Sequence, residues 1–124
     1  MGKKVLIVDD SLSMRKILSS LLLTELKDID IEITTASDGW TAYDVLTRSE
    51  SKFDLVLTDN NMPGMQGAEL VVAVHDLGCT TPFIMVTGDD EGRIPPVARK
   101  LLFSVVTKPF NIDPIMALVR EALQ

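Results

Sequence analysis

The sequence predicts a doubly wound α/β fold: five parallel strands in the order 2-1-3-4-5, each followed by a helix. Three observations predict it. Apolar runs alternate with stretches of helical periodicity along the whole chain, as in a parallel sheet covered by helices on both faces. Residues 5–8, 55–57 and 83–86 are continuously apolar, as buried parallel strands must be. Ile31–Ala36 instead alternates Ile-Glu-Ile-Thr, the pattern of a half-exposed edge strand.

Each element follows from its residues. After residues 5–8, Ser11 or Ser13 can cap a first helix, whose stripe is Met14, Ile17, Leu18, Leu21 and Leu22. The edge strand comes next. Asp38 can cap a second helix running to about Ser49, with Ala42, Val45 and Leu46 inward. The third strand ends at Asp59, and Pro63-Gly64 and Gly67 punctuate the loop beyond it. A third helix turns Leu70, Val71 and Val74 inward. Pro82 opens the fourth strand, and a weakly signalled fourth helix follows. Pro96 is expected as its first helical residue, because the residue before a proline is pushed away from helical angles; the helix would span 96–102. The fifth strand is Ser104–Thr107. A last helix has Asp113 as cap, Pro114 at its first position and Ile115, Leu118, Val119 and Ala122 as buried stripe. Right-handed crossovers limit how such units can connect. The flavodoxin-like (βα)5 arrangement puts Ile31–Ala36 at an edge and strands one and three side by side at the switch point.

Composition bounds the function. The 124 residues fit one domain, expected to span 1–124 without repeat or linker. Acids outnumber bases 18 to 12, so direct nucleic-acid binding, which wants a basic patch, is not expected. The lone cysteine, Cys79, cannot form an internal disulfide, which suits a reducing cytoplasm. No apolar stretch approaches the roughly 20 residues of a membrane span, and residues 5–8 are too short for a signal peptide core. Met1-Gly2 lacks the Ser or Thr at position six that myristoylation needs, since Leu6 stands there.

The chemistry lies at the strand ends. The apolar runs stop at Asp9 and Asp10, at Asp59, at Thr87 and at Lys108. In an open parallel sheet, ligands bind outside the carboxyl ends of the strands. Singly, these residues are ordinary: an acid after a strand caps a helix, and Asp59 beside Asn60 and Asn61 suits a turn. Together they place three carboxylates, a hydroxyl and an ammonium in one crevice. Crowded carboxylates repel unless a cation sits among them, and hard oxygen ligands select Mg2+ or Mn2+. Asp10 and Asp59 are expected as direct ligands, and Asp9 directly or through water. Asp59 is the candidate nucleophile, since a carboxylate can attack phosphorus. Lys108 offers a point charge to a phosphoryl oxygen and Thr87 a hydroxyl. Gly88 keeps the approach open, and Lys108-Pro109 is a candidate cis bond, against the trans majority.

These motifs resemble the receiver domains of two-component response regulators. The acidic pair follows strand one, Asp-x-x-Met-Pro-Gly strand three, Thr-Gly strand four and Lys-Pro-Phe strand five. The resemblance covers essentially the whole chain and includes chemotaxis-type receivers. It implies that Asp59 accepts phosphate from a sensor histidine kinase or histidine phosphotransfer protein, with Mg2+ held by Asp9, Asp10, Asp59 and the backbone carbonyl of Asn61. It also implies that Thr87 and Lys108 read the phosphoryl group and relay its presence to a downstream effector protein, and that Asn61 and Asp89 tune the phosphate's lifetime. Three features depart from the family. Val105 stands where a switching Tyr or Phe is usual, with Phe103 or Phe110 as the nearby aromatics. Pro95-Pro96 falls where the fourth helix should begin. Leu102-Phe103-Ser104 replaces the usual Ala-Gly-Ala turn.

The expected function is a phosphorylation-dependent signalling module that catalyses only its own phosphorylation and dephosphorylation. The departures motivate an alternative, a receiver-like interaction module that does not switch by phosphate. A free-standing phosphatase of the haloacid dehalogenase type fits poorly, because it wants an acid where Asn61 stands. His75 is read as a solvated or partly packed side chain on the third helix, and Trp40 as a packing or exposed aromatic.

Overall fold

The computed structural model describes residues 2–48 and 52–124. One parallel sheet runs through it in the order β2-β1-β3-β4-β5. Its strands are β1 (Lys3–Val8), β2 (Ile31–Ala36), β3 (Leu55–Thr58), β4 (Phe83–Thr87) and β5 (Ser104–Thr107). The helices are α1 (Leu12–Glu25), α2 (Gly39–Thr47), α3 (Gly67–Asp76), α4 (Pro96–Arg99) and α5 (Ile112–Ala122). A short 3-10 turn, Glu91–Arg93, precedes α4. No helix among the described residues is long and apolar enough to cross a membrane.

Alternation along each strand builds two cores. Leu6, Val8, Val56, Phe83 and Met85 face one side, where α2 and α3 add Ala42, Leu46, Leu70, Val71 and Val74. Val5, Ile7, Leu55, Leu57, Ile84 and Val86 face the other, against Leu18, Leu22, Ile115, Met116 and Val119 of α1 and α5. Both faces of β1, β3 and β4 are thus covered. The edge strand β2 keeps one face half-open, with Glu32 and Thr34 exposed.

Strand register brings the acidic residues together. Val8 pairs with Thr58, so Asp9 and Asp59 leave the sheet side by side, and Asp59 N–H donates to Val8 O at 2.9 Å. Thr87 pairs with Thr107, and Lys108 N–H donates to Thr87 O at 2.8 Å. The Lys108-Pro109 peptide is cis.

The helices bear out some local expectations and correct others. Ser11 is the cap of α1, accepting from Met14 N–H at 3.2 Å. Ile17 is exposed rather than part of the buried stripe; Leu18 and Leu22 carry it, with Leu26 beyond the helix. The cap of α5 is Asn111, not Asp113. Asp113 lies in the first turn, where a carboxylate meets the positive end of the helix dipole. Pro114 is the third helical residue rather than the first. Its missing N–H costs nothing there, because N–H groups of the first turn have no intrahelical partner. Leu118 and Ala122 are half-buried, while Met116 is buried. Pro96 does begin α4, but the helix stops at Arg99. Beyond it the chain tightens into bonds spanning three residues instead of four, Leu101 N–H to Ala98 O and Leu102 N–H to Arg99 O. Asp38 caps α2; Ser49, expected near its end, lies outside the described residues, as does Met1.

Candidate phosphoryl-transfer and metal site

The carboxyl ends of the strands carry the site. One carboxylate oxygen from each of Asp9, Asp10 and Asp59 lies within 4.8 Å of the other two. Asp9 and Asp59 are buried, at 1% and 8% exposure, whereas Asp10 faces solvent. Lys108, 50 residues beyond β3, reaches in from the far side: its Nζ donates to Asp9 Oδ2 at 3.0 Å and stands 3.4 Å from Asp59 Oδ2.

The two buried carboxylates are held in place. Asp9 Oδ1 accepts from Ser11 N–H at 2.9 Å, and Asp9 O accepts from the Arg15 guanidinium at 2.6 Å. Asp59 Oδ1 accepts from Asn60 N–H at 2.7 Å. The first residue of α3 packs on the Asp59 carbonyl so closely that a Cβ at Gly67 would collide with it. Glycine is required there by close approach.

Lys108 is half-buried. Burial by itself pulls an ammonium's pKa down, but the hydrogen bond to Asp9 and the charges of Asp59 and Asp9 outweigh it. The net effect lifts Lys108 above its ordinary 10.5, so it is charged at neutral pH.

This donor set fits a divalent cation. Three carboxylates outnumber the Lys108 ammonium and the Arg15 guanidinium on Asp9 O, and burial makes such an excess of negative charge costly. The ligating atoms are all hard carboxylate oxygens, and the exposed Asp10 leaves a route from solvent. Mg2+ binds in this way, through one or two carboxylates with waters and phosphate oxygens completing its shell.

The other residues singled out in the sequence occupy several places in the fold. Thr87 ends β4 fully buried, and its Oγ1 accepts from Asp89 N–H at 3.1 Å. Gly88 stands exposed, and a Cβ there would meet nothing within 4 Å. Asn61 is exposed in the loop after Asp59. Val105 is half-buried in β5, Phe103 is exposed and Phe110 packs against the α1/α5 core. His75 and Trp40 are exposed, and Trp40 stands edge-to-face with Tyr43 at 6.0 Å. Asn60, which enters the sequence reading only as a neighbour of Asp59, is buried. It bonds Ala68 N–H and Asp89, 8 and 29 residues away. No local signal in the sequence could reveal those partners.

Comparison with known proteins agrees with the fold. Residues 5–120 match the family described as the response regulator receiver domain. The chain is 38% identical over 125 residues to the chemotaxis protein CheY of Pseudomonas aeruginosa, covering 98% of this chain and 96% of that protein. It is 36% identical over 112 residues to CheY-3 of Vibrio cholerae, covering 87% and 82%. Among solved structures, the chemotaxis response regulator CheY4 of Vibrio cholerae superposes with a TM-score of 0.82 at 30% identity, over 99% of this chain and 100% of that one. The response regulator TrrA of Thermotoga maritima, in complex with Mg2+-BeF, gives 0.84 at 28% identity over 98% and 99%. The chain belongs to the response regulator receiver domain family of two-component signalling, and is similar along nearly its whole length to that family's chemotaxis proteins.

Proposed function

We propose that residues 1–124 act as a cytoplasmic phosphoacceptor receiver that takes a phosphoryl group on Asp59 from a sensor histidine kinase or a histidine phosphotransfer protein. A downstream effector protein then reads the change. The observation that carries this reading is the convergence of Asp9, Asp10 and Asp59 within 4.8 Å, with Lys108 bonded to Asp9 and beside Asp59.

In the transfer, an Asp59 carboxylate oxygen attacks phosphorus and forms the new P–O bond. The P–N bond to the donor imidazole breaks, and its electron pair stays on the nitrogen. Asp9, Asp10, Asp59 and the Asn61 carbonyl would hold Mg2+, which supplies charge neutralisation at the phosphoryl oxygens. Lys108 presents its ammonium to one of those oxygens, and Thr87 donates its hydroxyl to another. Gly88 leaves the approach clear of side chains. Once Lys108 turns from Asp9 toward the phosphoryl group, the end of β5 follows it, which links charge at Asp59 to a packing change at the surface. The chain turns over no external substrate beyond its own phosphorylation and dephosphorylation.

Incubation with Mg2+ and acetyl phosphate, followed by intact-mass measurement, tests this. One added phosphoryl group is expected, labile in base and absent in Asp59→Asn. Half-buried Val105, where the family usually carries an aromatic switch, favours a second reading, an interaction module indifferent to phosphate. That reading predicts no adduct and unchanged partner binding.

A further inference from the structure

Asn60 directly follows Asp59 and is 4% exposed. Its Oδ1 accepts from Ala68 N–H at 2.9 Å. A backbone N–H can only donate, so this contact fixes which end of the amide is oxygen. The other end is therefore the NH2 group, and it donates to Asp89 Oδ2 at 3.3 Å. Asp89 N–H in turn donates to Thr87 Oγ1 at 3.1 Å. Thr87 is fully buried. A hydroxyl carries one proton and two lone pairs. Once one lone pair is taken by Asp89 N–H, the directions open to the proton are restricted. The contacts thus run unbroken from the residue beside the phosphoacceptor to the hydroxyl at the end of the neighbouring strand.

We propose that Asn60 is a positioning residue: by holding Asp89, it sets the direction in which Thr87 offers its hydroxyl proton to a phosphoryl group arriving at Asp59. This rests on the phosphoacceptor reading above. Asn60 touches no substrate; it acts through Asp89 and Thr87. Its bond to Ala68 satisfies a free N–H in the first turn of α3, so the same side chain anchors the tie to a helix.

The test measures the rate of labelling by Mg2+ and acetyl phosphate in the full chain, by intact mass, alongside thermal unfolding. Asn60→Asp keeps an oxygen for Ala68 N–H but turns a second oxygen toward Asp89, which breaks the tie. Adding Asp89→Asn restores it with donor and acceptor exchanged and the total charge unchanged. Labelling per folded molecule is expected to fall about tenfold in Asn60→Asp, less than deletion of a donor costs, and to return to within about two-fold of wild type in the exchanged pair. A merely structural role would lower the unfolding midpoint and leave that rate alone. Labelling of Asn60→Asp at the wild-type rate overturns the proposal. So does an exchanged pair as slow as the single variant, which would make charge beside Asp59 the cause. Should Asn60→Asp not fold, Asp89→Ala, which spares the Asn60–Ala68 bond, must slow labelling; labelling of Asp89→Ala at the wild-type rate overturns the proposal. Absence of label in the wild type is a distinct result that overturns the phosphoacceptor reading and this inference with it.

Discussion

Lys108 Nζ donates to Asp9 Oδ2 at 3.0 Å across 99 residues of sequence. That bond ties the end of β5 to the end of β1, with β3 and β4 between them in the sheet, directly beside Asp59. The ammonium offsets part of the negative charge of these carboxylates, so a divalent cation bound among them would compete with it.

Lys108→Ala should therefore have two opposed effects. Without metal, a buried Asp9 carboxylate loses its partner. The pair is partly screened by solvent, so the expected cost is about 1–3 kcal/mol. Mg2+ affinity should rise by up to about tenfold, since a competing positive charge is gone. Denaturant unfolding in EDTA and a calorimetric titration check the two effects. Equal stability in EDTA would show that the ammonium contributes nothing to the fold.

Gly67→Ala drives a methyl group into the Asp59 carbonyl. Backbone does not yield as a flexible side chain does, so β3's end and α3 must separate. A loss of about 1–3 kcal/mol is expected, with slower labelling of Asp59 because the carboxylate moves with its backbone. Unfolding and intact-mass kinetics measure both.

Asp38 caps α2, accepting from Thr41 N–H at 2.7 Å. That bond holds its carboxyl below the ordinary 3.8. A carboxyl whose folded pKa is depressed adds stability above its unfolded pKa and loses it as pH falls through the folded value. Asp38→Ala should cost about 1 kcal/mol near neutral pH, and the gap from wild type should shrink below pH 3.8. Urea unfolding at neutral and strongly acid pH checks this. A gap that persisted in acid would mean the carboxylate's charge plays no part.

The fold and the acidic cluster were legible because a buried strand announces its end. An apolar run covered on both faces must stop where the chain leaves the core, and Asp9, Asp59, Thr87 and Lys108 stand at those stops. Helix starts were less legible. Asn111 and Asp113 can both cap a helix, and proline is tolerated throughout the first turn, so residue type alone places the start of α5 two residues late. Ile17 lies next to Leu18 at the margin of the α1 stripe, where spacing alone cannot separate buried from exposed. Asn60 was out of reach for a different reason: its role depends on Ala68 and Asp89, which only the tertiary fold brings to it.

A calorimetric titration with Mg2+, run on wild type and on Asp10→Asn, tests the centre of the account most directly. Asp10 is exposed, so its replacement should leave folding within about 0.5 kcal/mol of wild type. Wild type should take up one Mg2+ per chain, and the variant should bind at least about tenfold more weakly, a loss of about 1.4 kcal/mol. No uptake by the wild type, or equal affinity in the variant, would contradict a cation site built from these three carboxylates.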